Sequence, residues 1–362
     1  MTIETETDPI EGLAERLFME GVGTFHLQCV YLGVKLGLFR ALAEGGPQTA
    51  AELAKAVGLD AWYVREWLQA ETTAGLVHAN SDDLRAARFS AAPGVAETLV
   101  DETHPAYVGG LSFAAAAVGG VMASLVDAFR SGAGVPYSAY GPEAIEAQAT
   151  LNRPAFVNSL VAEWLPAIPD VLARLHDDAH PARVLDVGCG VGWAAIELAK
   201  AFPRIHVDGH DLDDESISQA RRNAANHDVS DRVTFEVGDA KTGGWGEGHH
   251  DLVLFFECVH DMARPVEALA AARRTLAPGG TVIVMDERLA DTPQPGDPTE
   301  TFFATASVLW CLPQSRVEPD CEAPGTVMRP ATFEAIARRA GWSGVDVLPI
   351  EHPFWRFYRL VG

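Results

Sequence analysis

Residues 183–211 read RVLDVGCGVGWAAIELAKAFPRIHVDGHD, and the order of residue types in this stretch decides the fold. The apolar run Val184-Leu185-Asp186-Val187 has strand character. Gly188, Gly190 and Gly192 then fall at alternate positions, and a helix-forming run, Trp193–Ala201, follows at once. Pro203 ends that helix. A second short strand covers Ile205–Val207, and Asp211 closes the unit. Strand, glycine turn, helix, strand, acid is the order of a nucleoside-binding crevice. A turn without β-carbons lets backbone approach a ligand closely. The first turn of a helix offers unpaired N–H groups. An acid after the second strand can accept the hydroxyls of a ribose.

The glycine spacing separates two kinds of nucleoside site. Dinucleotide sites have G-x-G-x-x-G, with the third glycine at a close helix contact. Here the glycines run G-x-G-x-G, and the bulky Trp193 stands at the third dinucleotide position. The pattern D-V-G-C-G-V-G resembles motif I of the class I methyltransferases that use S-adenosylmethionine. The resemblance implies that Asp186, Gly188, Gly190 and Gly192 hold the methionine part, with Asp211 and Leu212 at the ribose. It also implies that Asp239 and Ala240, in VTFEVGDA, lie at the adenine. S-adenosyl-L-homocysteine would then be the product.

Downstream the chain alternates strands and helices. Strands are expected at Val233–Val237, Leu252–Phe256 and Thr281–Asp286, with helices at Ser216–His227 and Val266–Leu276. LVLFF and TVIVM are solid apolar runs, as in strands buried on both faces. A helix over Pro330–Gly341 and two strands, Val345–Ile350 and the tail FWRFYRLV, follow. The expected fold is therefore α/β, a Rossmann-like seven-stranded methyltransferase sheet with a terminal antiparallel hairpin, preceded by an all-helical, winged-helix N-terminal domain. Division into 1–100, 101–180 and 181–362 follows from the change of pattern, with 291–325 as a cover insert rich in proline.

Glu257-Cys258-Val259-His260-Asp261 comes straight after the fourth strand, where residues face the crevice of an open α/β sheet. An imidazole there can take a proton from a hydroxyl at physiological pH. The small-molecule O-methyltransferases that this chain resembles carry a His-Asp pair at this place, then a helix and L-x-P-G-G, here Leu276–Gly280. By that resemblance His260 is the general base, with Asp261 and Asp286 beside it, and Glu257 belongs to the cofactor site. The chain departs from the pattern in two ways. Met262 stands where those families have Trp, and GTVMRPATF lacks the second acid that would orient the histidine.

The first hundred residues are of another kind. Apolar residues recur at roughly helical spacing over residues 10–45, with Gly33, Gly37 and Gly45 expected at bends or ends. In TAAELAKAVGLDAWYVREWLQAETTAGLV, Thr49 and Glu52 form a capping box. Gly58 ends one helix, Asp60 caps the next and Gly75 ends it. A wing is expected from Leu76 to the Phe89 region. The second helix carries Asp60, Glu66 and Glu71 against one Arg65, where base reading wants Arg, Lys, Asn or Gln. The formal charge of −23 also opposes a nucleic-acid partner. The segment resembles the N-terminal domain of the same O-methyltransferases, which implies a homodimer.

The 5 cysteines form no C-x-x-C pair, so neither a disulfide framework nor a structural zinc is expected. No metal is expected at His210, His249, His250 or His260, whose spacing sets no ligands on one side. Gly109–Val126, uncharged and rich in Ala and Gly, reads as a buried helix rather than a membrane span. The start, MTIETETDPIEG, lacks the apolar core of a signal peptide, and a cytoplasmic location is expected. Residues 100–180 should be helices cut into pieces by Pro136, Pro142, Pro154, Pro166 and Pro169. Tyr137, Tyr140 and Asn158 are candidate pocket residues there, with Phe303 and Trp310 from the cover.

The resulting expectation is transfer of a methyl group from S-adenosyl-L-methionine to a small aromatic or hydrophobic metabolite, on oxygen first. Two alternatives stand beside it. One is an enzyme that binds S-adenosylmethionine without transferring methyl. The other is a non-catalytic winged-helix regulator with a ligand-sensing domain.

Overall fold

A computed structural model of the chain describes residues 8–322 and 324–362. Most of the acidic start, residues 1–7, and Ala323 of the expected cover lie outside the described residues. The chain divides into two compact units, one reaching to Ala117 and one running from Val118 to Gly362.

In the first unit, the helices Pro9–Lys35, Leu38–Gly45, Ala50–Val57 and Ala61–Thr73 precede a two-stranded wing. The wing pairs β1 (Val77–Ala79) with β2 (Phe89–Ala91), antiparallel. The capping box is present, with Thr49 Oγ1 accepting from Glu52 N and Glu52 Oε2 from Thr49 N. Asp60 caps the fourth helix by accepting from the amides of Trp62 and Tyr63. Phe39, Leu42, Leu53, Val64, Trp67, Leu68 and Phe89 form the core. Gly33 makes no bend. It lies inside the 27-residue first helix, where a β-carbon would come within 2.4 Å of the Phe39 ring and 2.5 Å of Trp67.

The second unit is built on a seven-stranded sheet. Its strands are β3 (Arg183–Val187), β4 (His206–Asp211), β5 (Val233–Val237), β6 (His250–Phe256), β7 (Leu276–Glu287), β8 (Gly344–Val347) and β9 (Trp355–Val361). The order is β5-β4-β3-β6-β7-β9-β8, parallel except for β9, which runs antiparallel to both β7 and β8. β4 begins one residue after the expected strand start and extends to Asp211. Pro278-Gly279-Gly280 lies within the span of β7, but the pairing with β6 jumps there from His250–Leu276 to Leu252–Thr281, so the stretch turns out of the ladder, with Gly279 left-handed at φ 82°, ahead of the paired run from Thr281. One apolar layer centres on Ile196, Leu198, Ile217 and Leu254, and another on Leu185, Val253, Phe255 and Val284.

Two helical regions differ from expectation. Pro154 does not cut its segment. The helix Pro142–Ala155 continues through it as a π-helix, Phe156–Trp164. A proline ring crowds the preceding turn and removes one donor, and widening to the π form carries the chain past it. Asn158 Nδ2 donates to Pro154 O at 2.7 Å. Likewise Glu300–Leu312 of the cover, which the sequence pattern predicts as one helix, lies in a helical run Pro298–Ala306, then a π turn Ser307–Cys311, then Leu312–Ser315 around Pro313. Gly110–Ser131 is one apolar helix, long and apolar enough by composition to cross a membrane, and 28% of its most apolar window is buried. It is buried along one stripe only, Phe113, Ala117, Val121 and Leu125, while Met122, Val126 and Phe129 are exposed.

Candidate cofactor and substrate site

The glycine turn follows β3 directly. Gly188 N and Cys189 N donate to His210 O at 2.8 and 3.1 Å, tying the turn to β4. Asp211, at the end of β4, closes it from the other side. Its Oδ2 accepts from Gly190 N at 2.8 Å and its Oδ1 from Asp213 N at 2.9 Å. Gly188, Gly190 and Gly192 all have left-handed backbone, but they serve different ends. A β-carbon on Gly190 would meet nothing within 4 Å, so this glycine leaves backbone open to a ligand. A β-carbon on Gly192 would stand 2.4 Å from Phe235 Cζ, so this one is needed for packing.

The turn forms one wall of a half-open cavity. The opposite wall is a single face of the helix Pro142–Ala155 and its π extension: Ile145, Gln148, Ala149, Asn152 and Phe156, at helical spacing. Tyr137, Trp193 and Phe256 add aromatic surface, and Asp186 and Glu257 add carboxyls. Asp186 is buried, and its Oδ2 has no hydrogen-bond partner among the described residues. Burial, then the nearby Asp211 carboxyl, pushes its pKa up to about 7. An orphaned buried carboxyl beside open glycine backbone is complementary to a cationic ligand end. Burial likewise raises Asp211.

The residues expected around the rest of the nucleoside lie beyond this cavity. Leu212 is exposed. Asp239 accepts from Lys241 N and pairs with Lys241 Nζ at 3.0 Å, while that ammonium also donates to Glu318. Ala240 packs against the core layer. Trp193 is accommodated beside the turn, under the Arg153 guanidinium, whose carbon lies 4.0 Å from the ring centre.

His260 is 3% exposed and lies in a nest of carboxyls. Its Nδ1 stands 2.9 Å from Asp286 Oδ1 and 3.0 Å from Glu287 Oε2, and its Nε2 stands 3.3 Å from Asp261 Oδ1. Burial alone would depress this imidazole, but Glu287, Asp286 and Asp261 outweigh burial and hold its pKa well above 6.5. Burial raises the Glu287 carboxyl well above its usual range, whereas His260 and neighbouring donors overcome burial and keep Asp286 low. The carboxyls thus favour the charged form of the imidazole, and the imidazole in turn favours the charged form of Asp286. His260, Asp286 and Glu287 each offer a donor atom within 4.8 Å of the others, and so do Asp208, His249 and His250, so the fold brings together ligand types that spacing along the sequence had set apart.

Glu287 is the acid that sequence reading missed. The expected position was near GTVMRPATF, and successive strand residues were expected to face opposite ways. At the end of β7 both Asp286 and Glu287 reach His260. Glu257 follows β6 with a left-handed backbone, φ 52°, and lines the cavity. Trp355 Nε1 donates to its carboxyl. Of the expected pocket residues, Tyr137 lines the cavity, and burial raises its phenol well above 10. Tyr140 instead donates to Leu309 O at 2.8 Å and packs against Trp310, ring centres 5.1 Å apart. Phe303 and Trp310 are buried. Asn158 is exposed, and the asparagine that faces the cavity is Asn152. Helical spacing across 145–156 was the signal for Gln148 and Asn152, and reading the segment as broken at Pro154 concealed it.

The sheet order, the glycine turn and the N-terminal wing define a class I S-adenosylmethionine-dependent methyltransferase fold carrying a winged-helix domain. Residues 179–323 match a family model described as a methyltransferase domain, and residues 27–92 match one described as an Rv2258c-like winged HTH domain. Norajmaline N-methyltransferase of Rauvolfia serpentina is 31% identical over 115 residues, covering 31% of this chain and 39% of that enzyme. The 27-O-demethylrifamycin SV methyltransferase of Amycolatopsis mediterranei is 34% identical over 111 residues, covering 31% and 40%. The matched stretch thus spans about two fifths of the length of these curated relatives. Whole-chain likeness is to solved structures. PigF with S-adenosylhomocysteine has a TM-score of 0.71 at 18% identity, covering 99% of this chain and 100% of that one. The mitomycin 7-O-methyltransferase MmcR has 0.68 at 20%, covering 97% and 98%. At these identities the likeness is one of fold.

Proposed function

We propose that the protein transfers a methyl group from S-adenosyl-L-methionine to a small aromatic or hydrophobic metabolite, on oxygen in the first instance. The observation that carries this reading is the meeting, in one cavity, of open Gly190 backbone, the orphaned Asp186 carboxyl and aromatic walls. The bound cofactor supplies an activated methyl on a sulfonium, so the chemistry of the leaving group is its own. The chain's part is to hold and align. Gly188, Gly190 and Asp186 take the methionine part, Asp211 and Leu212 the ribose, Asp239 and Ala240 the adenine. Gly192 keeps the turn in place by packing on Phe235. Tyr137, Phe156 and Phe256 offer an acceptor flat apolar faces. Phe303 and Trp310 support the cover from inside.

By family resemblance His260 would be the general base, with Asp261 and Asp286. Both of its nitrogens face carboxyls, so that role would require the ring to turn from Asp261. Calorimetric titration with S-adenosylmethionine tests the reading as a whole. Tight binding that is lost in Asp211→Ala supports it, and no binding by the wild type removes it.

We also infer that the active form is a homodimer joined through the N-terminal unit. The first helix exposes Ile10, Leu13, Leu17, Phe18, Met19, Val22 and Phe25 along its length. An apolar surface of this kind is a docking face, and the dimers implied by the resemblance use this domain.

A further inference from the structure

The cavity holds two carboxyls, Asp186 and Glu257. The methionine contacts proposed above use Asp186, and the family resemblance sets Glu257 in the cofactor site without a part in the chemistry. Glu257 lies immediately past β6, at the crevice end of a parallel strand. Its backbone is left-handed, a conformation a glutamate adopts only where the surrounding structure imposes it. Its carboxyl is in the cavity, whereas the buried His260 is not part of the lining. We propose that Glu257 is the proton-transfer group of this site. It holds a proton part of the time in the free protein, gives that proton up when a sulfonium enters the cavity, and then receives the proton of the acceptor's hydroxyl. This rests on the methyltransferase reading and assigns the proton that reading leaves over.

The balance closes. As the acceptor's O–H bond breaks, its proton passes to a Glu257 carboxylate oxygen. The new O–CH3 bond forms while the S–CH3 bond breaks, with that electron pair remaining on sulfur. A sulfonium and a carboxylate enter the step, and a neutral thioether and a neutral carboxylic acid leave it. The cavity is left with a neutral carboxylic acid and no sulfonium, which helps the product to leave.

The surroundings of Glu257 suit this cycle. Burial raises its pKa to about 7, against the Trp355 indole and the Asn152 amide, which favour the ionised form. His260 also favours ionisation, and Asp286 opposes it. Asp186 is the other acid on the cavity wall. A base works best with a pKa near the working pH.

The test needs no knowledge of the acceptor. S-adenosylmethionine and S-adenosylhomocysteine are titrated calorimetrically at pH 7 in two buffers of different ionisation enthalpy, which counts the protons exchanged. The expected result is a release of roughly half a proton with S-adenosylmethionine beyond that with S-adenosylhomocysteine. In Glu257→Gln that excess disappears while both ligands still bind. An equal excess in the variant assigns the proton to another group, Asp186 first, and overturns the proposal. Absence of any excess in the wild type overturns it too, while leaving the cofactor site intact. Failure of the wild type to bind either ligand removes the functional reading and this one together. Trp355→Phe guards against a Gln variant that does not fold. Losing the indole donor should move the midpoint of the proton linkage to higher pH, and an unmoved midpoint counts against Glu257.

Discussion

Asp186 is a single residue held at a cost to the fold. It is 2% exposed, and its pKa is pushed up to about 7. The folded state therefore binds a proton more tightly than the unfolded chain, whose aspartates titrate near 4. Below about pH 4 the group is neutral in both states and costs nothing. Between about 4 and 7 stability falls as pH rises, and above 7 the full penalty remains, at most roughly 4 kcal/mol for three pH units. Asp186→Asn is thus expected to raise the melting temperature of the free protein at pH 8, to leave it nearly unchanged at pH 4, and to weaken S-adenosylmethionine. Calorimetric melts at the two pH values check the first part, and a melting gain equal at both would show that the amide helps for some other reason. Asp211→Ala should act through the turn as well as the ligand, because it removes the acceptor for Gly190 N. Loss of S-adenosylmethionine binding by at least about tenfold, with the fold retained by circular dichroism, is the expected outcome.

At the scale of the element, regular patterns were legible in the sequence and exceptions were not. The capping box at Thr49 and Glu52, the Asp60 cap and the strand–turn–helix from Arg183 were read correctly because each rests on local rules. Thr49→Ala should cost about 1 kcal/mol in chemical denaturation, the ordinary worth of such a cap. Gly192 was read as a cofactor glycine, and tertiary packing adds a constraint that the local pattern does not show. Gly192→Ala places a β-carbon 2.4 Å from Phe235 at φ 85°, so it should destabilise by roughly 2–4 kcal/mol. A denaturation midpoint unchanged from wild type would contradict that. The face formed by Gln148, Asn152 and Phe156 escaped detection because proline normally ends a helix, and no one-dimensional rule announces that a π turn will absorb it. Glu287 escaped for a similar reason: alternation along a strand fails at its last residues, where side chains of both β7 acids converge on His260.

Charge and surface act on the molecule as a whole. A net charge of −23 keeps copies apart at long range, while the first helix lays out an apolar face that water leaves uncovered. Ile10 is 78% exposed, Phe18 69% and Phe25 79%. The two effects have different reach: repulsion is screened beyond about 8–10 Å at physiological salt, and apolar burial is not. Association should therefore be present at physiological salt and strengthen as salt is raised, the reverse of a complex held by ion pairs. Sedimentation equilibrium at micromolar protein, in low and high sodium chloride, is the measurement. A dimer whose dissociation constant falls with salt agrees with a second copy covering this face. Phe25→Asp with Leu17→Asp should give a monomer at either salt, with S-adenosylmethionine binding retained, since Asp211 and the glycine turn belong to the other unit. A wild type that stays monomeric throughout would leave the apolar helix to a different partner. If the double variant loses cofactor binding as well, dimerisation supports the nucleoside site, and the two units cannot be treated as energetically independent.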